Sequence, residues 1–291
     1  MAKTKALTAK VARQRKGTRT KGVAAAYETL IVETRNEIAL IALARPDVHN
    51  AFNGTLIAEL TSALRAVDAD DSVRVAILLG HGRSFCAGAD LNWMKKMAGY
   101  GDAENLADAT AMAAMLKTLN GLSKPTIARV HGAAFGGGVG LVACCDIAIG
   151  AQDATFSFSE AKLGLIPATI APYVIEAIGA RQARRYFLSA ERFTAAEAFR
   201  IGLLHDLVPA DALDARINEL LGALLVAGPK AQAAAKILIR SIADRPINDA
   251  LIADTAQRIA TVRASVEGKE GVAAFLAKRA PSWMPEALKQ T

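Results

Sequence analysis

The chain has 291 residues, of which 52% are hydrophobic and 22% charged, so it can bury one sizeable core with an appendage or two modest domains. It contains no apolar run of the roughly 18 residues that a membrane-spanning helix requires, and its start lacks the pattern of a secretory signal, so neither membrane insertion nor export is expected. The formal net charge of +7 would by itself favour an acidic polymer such as a nucleic acid as partner.

The excess positive charge is confined to the N-terminus. Eight lysines and arginines precede the first acid, Glu28, and the rest of the chain carries 27 bases against 28 acids. A segment this basic, with no acid and no apolar periodicity, cannot bury enough surface to fold alone, so we predict that residues 1–26 form a disordered tail. Three interpretations of the tail stay open: a solvated extension, a mitochondrial transit peptide, or an arm that binds nucleic acid.

Strands and helices alternate after the tail. Apolar, β-branched runs predict strands at residues 29–34, 38–43, 73–79, 126–130 and 147–149, and amphipathic stretches predict helices at 54–67 and 105–119. This order predicts an α/β core over residues 27–210. From about Asp211 the pattern becomes helical, with breaks at Gly228-Pro229 and Arg245-Pro246, so residues 211–291 are predicted to form a separate helical region.

Cysteine and histidine usage argues against disulfides and metal sites. The three cysteines, Cys86, Cys144 and Cys145, are too few and too irregularly spaced for a disulfide framework or a zinc site, and the four histidines show no metal-binding spacing. We therefore expect no metal and a reducing compartment. That compartment would be the cytoplasm, or the mitochondrial matrix if the tail is a transit peptide.

Two glycine-containing turns, at residues 85–91 and 132–140, follow predicted strands and open helices. Backbone N–H groups at such turns can hold an oxygen that carries negative charge. The dinucleotide fingerprint fails because Leu141 stands where its third glycine belongs, and no Walker sequence follows the glycines. Two interpretations remain: an oxyanion hole built from both turns, or tight helix–strand packing without a ligand.

An acid follows a short predicted strand further along the chain. The alternation of Phe156 and Phe158 predicts a strand that delivers Glu160 at its end, beside Gly164 and an apolar stretch. A carboxylate partly removed from water there would have a raised pKa, which suits general acid–base catalysis. The alternative, which position alone favours, is an ordinary glutamate in the first turn of a helix.

Together these segments resemble the crotonase (enoyl-CoA hydratase/isomerase) superfamily over roughly residues 27–284. The matching segments are 85–91, 124–126, 131–138, Cys145-Asp146, Glu160 followed by Pro167, and 270–279. The resemblance implies a spiral of ββα units followed by a helical C-terminal region that forms homotrimers, often paired into hexamers. It also implies an acyl-CoA thioester as substrate and no cofactor, since the CoA is part of the substrate.

Roles for individual residues follow from the resemblance, motif by motif. The N–H groups of Ala89 and Gly137 would form an oxyanion hole for the enolate of the thioester, each contributing about 3 kcal/mol, with Glu160 as acid and base. The residues expected to contact the substrate are Val48 and Ala51 near the adenine, Phe275 and Lys278 in the C-terminal region, and, in the two turns, Ala87, Gly88, Asp90, Leu91, Gly136 and Gly140.

One position departs from the hydratase pattern. Hydratases of the superfamily typically use two glutamates that hold and split water. Gly140 stands where the first belongs, and Glu160 matches the second. A single carboxylate suffices to shuttle a proton, so the simple inference is a Δ3,Δ2-enoyl-CoA isomerase, because losing one acid–base group should cost a hydratase about 10²- to 10⁴-fold.

A narrower resemblance favours hydration nonetheless. Residues 89–94, 133–137, 140–141, 144–146, 159–160 and 170–174 are similar to bacterial methylglutaconyl-CoA hydratases of leucine breakdown and to isohexenylglutaconyl-CoA hydratases, which also carry this glycine. We therefore hypothesise hydration of a branched glutaconyl-type enoyl-CoA, whose distal carboxylate, or a residue outside the motifs, helps to orient the water. Five arginines are candidate partners for that carboxylate, although each is more simply a solvated or structural charge: Arg74, Arg129, Arg181, Arg184 and Arg185.

Two alternatives lie outside this chemistry. The tail could bind RNA, but it has no interleaved aromatic residues, so such binding would be sensitive to salt and independent of sequence. A catalytically inactive scaffold is disfavoured because both turns and Glu160 are intact.

Overall fold

Residues 27–289 are described by the computed structural model and divide into two units. The first unit comprises residues 27–122 and 126–218, and the second comprises residues 123–125 and 219–289. The predicted basic tail lies outside the described residues. Between residues 27 and 289 no single helix is long and apolar enough to cross a membrane; one bent pair, Ala210–Val226 with Pro229–Ile242, passes that test jointly, by length and composition alone.

The first unit is built on a six-stranded sheet. Its strands are β1 (Leu30–Arg35), β2 (Ile38–Leu43), β3 (Val75–Gly80), β4 (Thr126–Val130), β6 (Ile147–Ala151) and β9 (Asp206–Val208). The spatial order is β1-β2-β3-β4-β6-β9, in which β1 and β2 form an antiparallel hairpin and the other neighbours are parallel. Every residue of β2 is buried, as expected of a parallel-sheet strand that is covered on both faces.

Helices connect the strands of the first unit. They are α1 (Gly54–Ala69), α2 (Leu91–Met97), α3 (Asp102–Gly121), α4 (Gly137–Cys144), α5 (Ala171–Ser189) and α6 (Ala195–Arg200). α1 buries Leu56, Leu60 and Leu64 at helical spacing, and its first turn is capped by the Asn53 side chain, which accepts the Leu56 N–H at 2.8 Å. An apolar stripe of this kind places the helix against the core.

A second, three-stranded sheet positions the segments of functional interest. It consists of β5 (Ala133–Phe135), β7 (Thr155–Ser157) and β8 (Arg192–Thr194), with β5 parallel and β8 antiparallel to the central β7. Its buried face is aromatic: the ring of Phe193 lies 5.6 Å from that of Phe156 and 4.4 Å from that of Tyr186. β5 runs directly into Gly136, and β7 is followed within three residues by Glu160.

The second unit is helical. It takes in the end of α7 (Leu213–Val226), then α8 (Pro229–Ile242), α9 (Asp249–Ala264) and α10 (Val266–Leu276). The predicted breaks separate α7 from α8 and α8 from α9. α8 starts at Pro229, whose lack of an N–H loses no hydrogen bond because the first N–H groups of a helix have no acceptor within it. The Asn248 side chain caps α9 by accepting the Leu251 N–H at 3.0 Å.

The predicted strands and helices of the first unit are confirmed, with shifted ends. The strand predicted from residue 73 starts at Val75, because its partner β2 starts at Ile38. The helix predicted at 105–119 covers Asp102–Gly121, since the Glu104 side chain accepts the Gly101 N–H at 3.0 Å and starts the helix earlier. The short strand predicted before Glu160 ends at Ser157, and Glu160 begins a 3-10 helix, Glu160–Leu163.

Candidate active site

Main-chain hydrogen bonds join two loops of the first unit. We call residues 85–90 the first glycine loop and residues 131–138 the second. The Cys86 N–H donates to Ala133 O at 3.0 Å, and the Phe135 N–H donates back to Cys86 O at 2.9 Å. Because the bonds are between backbone groups, the loops hold each other in place independently of side-chain chemistry.

Each glycine loop presents an amide N–H that has no acceptor among the described residues. In the first loop, Gly88 O accepts the Phe52 N–H at 2.7 Å and the Asp90 N–H donates to Phe52 O at 2.9 Å, whereas the intervening Ala89 N–H has no acceptor within residues 27–289. In the second loop, Gly137 begins α4, so its N–H has no partner inside the helix. Ala89 and Gly137 are the two residues to which the family resemblance assigned an oxyanion hole.

Phe52 links these two residues. Its main chain pairs with residues 88 and 90, and a Cβ built on Gly137 would lie 2.9 Å from Phe52 Cε2. Phe52 is only 1% exposed, so its ring is held by the core. The first turn of a helix also carries partial positive charge. The arrangement can therefore hold an oxygen on which negative charge develops.

Glu160 lies beside the second glycine loop. A Cβ built on Gly136 would lie 3.0 Å from Glu160 Oε1, and Gly136 has a φ of +50°, so only glycine fits there without strain. Glu160 Oε2 is buried and accepts no hydrogen bond in the described part of the chain. Burial raises the pKa of Glu160 above the ordinary glutamate value. A desolvated carboxyl group with an unused oxygen can take up or deliver a proton at this loop.

Gly140, one turn further along α4, faces apolar side chains. Its N–H donates to Gly136 O at 3.3 Å. A Cβ built on Gly140 would overlap Ile170 Cγ2, and it would lie 2.9 Å from Ile170 Cβ and 3.6 Å from Leu116 Cδ2. The space beside Gly140 is therefore filled with hydrocarbon.

Comparison with known proteins identifies the family to which the chain is similar. The sequence model of the enoyl-CoA hydratase/isomerase family matches residues 33–286. The 2,3-dehydroadipyl-CoA hydratase of Escherichia coli (strain K12) is 33% identical over 255 residues, which cover 87% of this chain and 98% of that protein. The crotonyl-CoA hydratase of Syntrophomonas wolfei is 32% identical over 256 residues, 87% of this chain and 97% of that protein. A crystal structure of an enoyl-CoA hydratase from Shewanella pealeana has a TM-score of 0.86 at 43% identity, covering 88% of this chain and 96% of that one.

The chain belongs to the enoyl-CoA hydratase/isomerase family. It is therefore an enzyme of the crotonase superfamily, with the mixed α/β fold and helical C-terminal region that the resemblance implied. An acyl-CoA substrate is consistent with this family.

Asp90 anchors the first glycine loop of this hydratase/isomerase-family enzyme. Asp90 Oδ2 accepts from Arg45 Nη2 at 2.7 Å, and Oδ1 accepts the Asn92 N–H at 2.7 Å, which caps α2. Arg45 also donates to Ala51 O. Since both carboxylate oxygens are engaged and the residue is 5% exposed, Asp90 holds the backbone that presents Ala89.

Val48 and Ala51, predicted to lie near the adenine, belong to a loop that packs against the first glycine loop. The Ala87 N–H donates to His49 O at 3.0 Å, which fixes the two loops to each other. Val48 is 37% exposed and Ala51 is buried, so Val48 is the one that offers side-chain surface to a ligand.

Three further predicted contact residues are exposed. Leu91 opens α2 and is 74% exposed in the first unit. Phe275 lies in the last turn of α10 in the second unit and is 81% exposed, and Lys278 lies just beyond the end of that helix. Their contact with CoA stays a prediction.

Two of the five candidate arginines pair with acids of the protein. Arg129 Nε lies 2.7 Å from Asp214 Oδ1, and Arg185 Nε lies 2.8 Å from Glu191 Oε1. Of the others, Arg74 is buried at 7% exposure, and Arg181 and Arg184 are exposed on α5.

The sequence did not single out Arg192, on β8. Its guanidinium carbon lies 5.2 Å from the centre of the Phe135 ring, and Phe135 directly precedes Gly136. Arg192 is exposed and forms no ion pair within residues 27–289. A three-residue strand has no period that sequence analysis can recognise, but the positive charge and the flanking Phe193 were visible signals.

Proposed function

We propose that this enzyme adds water across the 2,3 double bond of a branched, glutaconyl-type enoyl-CoA, an acyl thioester with a carboxylate at its far end. The observation that carries the proposal is that two backbone N–H donors without an acceptor among residues 27–289 accompany Glu160, whose buried Oε2 has no hydrogen-bond partner there, while hydrocarbon fills the space beside Gly140. No cofactor is needed for this reaction, because CoA is part of the substrate.

The proposed reaction uses Glu160 to move one proton. The ionised carboxylate accepts a proton from water as the water oxygen attacks C3 of the thioester. The electrons of the double bond move onto the thioester oxygen, and the resulting enolate is stabilised by the N–H groups of Ala89 and Gly137. Glu160 then returns the proton to C2. The hydroxyl of the water ends on C3 and its hydrogen on C2, so atoms and electrons balance.

The carboxylate of the substrate would take the place of the second carboxylate that position 140 does not provide. Since Ile170 and Leu116 fill the space beside Gly140, that position of α4 offers no carboxylate to orient a water, and a distal substrate carboxylate can serve instead. Arg192, near the second glycine loop, is a cation available to that carboxylate. One relative is named as a hydratase of 2,3-dehydroadipyl-CoA, whose name denotes a thioester of a dicarboxylic acid.

A second candidate is Δ3,Δ2-enoyl-CoA isomerisation, or general enoyl-CoA hydration, with Glu160 alone. The single carboxylate favours isomerisation specifically, because moving a proton from C2 to C4 needs one acid–base group and no bound water. The same N–H pair would stabilise the enolate in that reaction.

A substrate panel tests the proposal. The enzyme is incubated separately with 3-methylglutaconyl-CoA, crotonyl-CoA and a 3-enoyl-CoA, and the products are separated by liquid chromatography, which resolves double-bond isomers, and identified by mass spectrometry. We expect 3-methylglutaconyl-CoA to gain the mass of one water with the highest kcat/KM. Faster hydration of crotonyl-CoA would contradict the glutaconyl proposal, and conversion of the 3-enoyl-CoA without a change of mass would identify an isomerase.

Assembly and compartment follow from the resemblance as further proposals. We propose a homotrimer or a dimer of trimers, because the second unit exposes many large apolar side chains that an interface would cover. These are Ile237, Ile239, Ile247, Ile252, Ile259, Val266, Val272, Phe275 and Leu276. Sedimentation velocity measures the mass of the assembly. The cytoplasm is the proposed compartment, and the location of the tagged full chain in the cell tests this proposal.

A further inference from the structure

The contact between Gly140 and Ile170 has a consequence for specificity. Any Cβ on residue 140 would overlap Ile170 Cγ2 and lie 2.9 Å from Ile170 Cβ, closer than real Cβ atoms approach. Ile170 is 1% exposed and Leu116, the next neighbour of Gly140, is fully buried. Neither side chain has open space into which it can retreat, because protein interiors are close-packed.

The packed wall formed by Gly140, Ile170 and Leu116 lies one helical turn from the residue that borders Glu160. Gly140 is one helical turn from Gly136, to whose carbonyl its N–H donates at 3.3 Å, and Gly136 borders Glu160 Oε1. Ile170 follows the 3-10 helix that Glu160 begins and is the N-cap residue of α5, where the Val174 N–H donates to Ile170 O at 3.1 Å and so fixes the Ile170 backbone. The Cβ of Ile170, which would lie 2.9 Å from the added Cβ, therefore cannot move away without moving the first turn of that helix.

We propose that Ile170 is a specificity-determining residue, which keeps residue 140 a glycine and so restricts the site to the single carboxylate of Glu160. Its hydrocarbon keeps that wall dry, so water must be oriented from elsewhere. The choice of substrate with its own carboxylate rests on the proposed function; the steric coupling of residues 140 and 170 does not. A glutamate at position 140 is compatible with the fold only when residue 170 is small.

A double-mutant cycle tests the coupling by thermal unfolding. We expect Gly140→Ala to lower Tm by about 5 °C through overpacking and Ile170→Ala to lower it by about 10 °C through a cavity. In the double variant the added methyl enters the space that Ile170 vacates, so its Tm should equal or exceed that of Ile170→Ala. Two controls define additivity: Gly222→Ala, on a helix where nothing lies within 4 Å of the new Cβ, and Gly140→Ala combined with truncation of the equally buried Ile149.

Activity tests the specificity. The variant Gly140→Glu should fold poorly, whereas Gly140→Glu with Ile170→Ala should fold and hydrate crotonyl-CoA at least about tenfold faster than Ile170→Ala alone. Its pH profile should also gain a second ionisation. Additive Tm shifts in the alanine cycle, or a folded double variant without that gain, would overturn the inference. If the wild-type enzyme leaves 3-methylglutaconyl-CoA unchanged while the coupling and the gain appear, the proposed function fails and this inference stands.

Discussion

The two halves of the active site are constructed in opposite ways. The oxyanion half consists of backbone N–H groups on two loops that hydrogen-bond to each other, and the first loop is held further by the main chain of Phe52 and by the bond from Arg45 to Asp90. The acid–base half is one side chain, Glu160, whose Oε2 receives no hydrogen bond from the described residues. The first half is supported by many main-chain contacts, and the second depends on the chemistry of one carboxyl group.

This difference predicts different responses to mutation. Changes in the oxyanion half act through backbone position, so they should lower kcat. They should not move the acid limb of the pH profile, which is the loss of activity as pH falls through the pKa of Glu160. Changes at Glu160 should remove the proton transfer and the acid limb together. Four predictions test the contrast.

The largest effect should come from Glu160→Gln. The amide cannot accept a proton, so we expect kcat to fall about 10²- to 10⁴-fold with little change in KM. Steady-state kinetics on the best substrate of the panel measures this, with Glu104→Gln, an exposed cap of α3, as the matched control. Near-normal turnover by the Glu160 variant would show that another group carries the proton.

Gly137→Val should break the oxyanion half. A Cβ there would lie 2.8 Å from Met112 Cε and 2.9 Å from Phe52 Cε2, so the larger side chain must displace the amide that it carries. Loss of one such donor costs about 10²- to 10³-fold in kcat. Kinetics with Gly121→Val as control, where nothing lies within 4 Å of the new Cβ, checks this. If the acid limb of the pH profile also moved, the two halves would not be independent.

The pH dependence should report the state of Glu160. Burial raises its pKa, and the base must be ionised to accept a proton, so activity is complete above that pKa and falls as pH decreases through it. The slope should be about tenfold in kcat/KM per pH unit, with a midpoint above that of an ordinary glutamate. A pH profile on wild type and on Glu160→Gln measures it, and survival of the limb in the variant would assign it to another residue.

Some of these features could be predicted from the sequence and others could not. The strand Ile38–Leu43 and the two glycine loops were predictable because apolar runs and glycine spacing are local signals. The strands β8 and β9, three residues each, exist because neighbouring strands pair with them, so no period marks them. Sequence alone could place glycine at position 140, but the Ile170 side chain that fills the adjoining space comes from a distant segment and became visible only in the fold.

The smallest effect should come from Arg192→Gln, which removes an exposed cation that lies over the Phe135 ring of the second glycine loop and changes neither Glu160 nor the two N–H donors. If Arg192 pairs with the distal carboxylate, losing a charged hydrogen bond should raise KM for 3-methylglutaconyl-CoA about tenfold and leave KM for crotonyl-CoA unchanged. The exposed Arg65→Gln is the matched control, and both variants should keep the wild-type Tm. An equal rise on both substrates would mean that Arg192 serves a part common to all acyl-CoAs, and no rise on either would place carboxylate recognition elsewhere. The difference between the KM changes for the two substrates therefore decides whether a carboxylate of the substrate takes the place of the one that Gly140 does not provide.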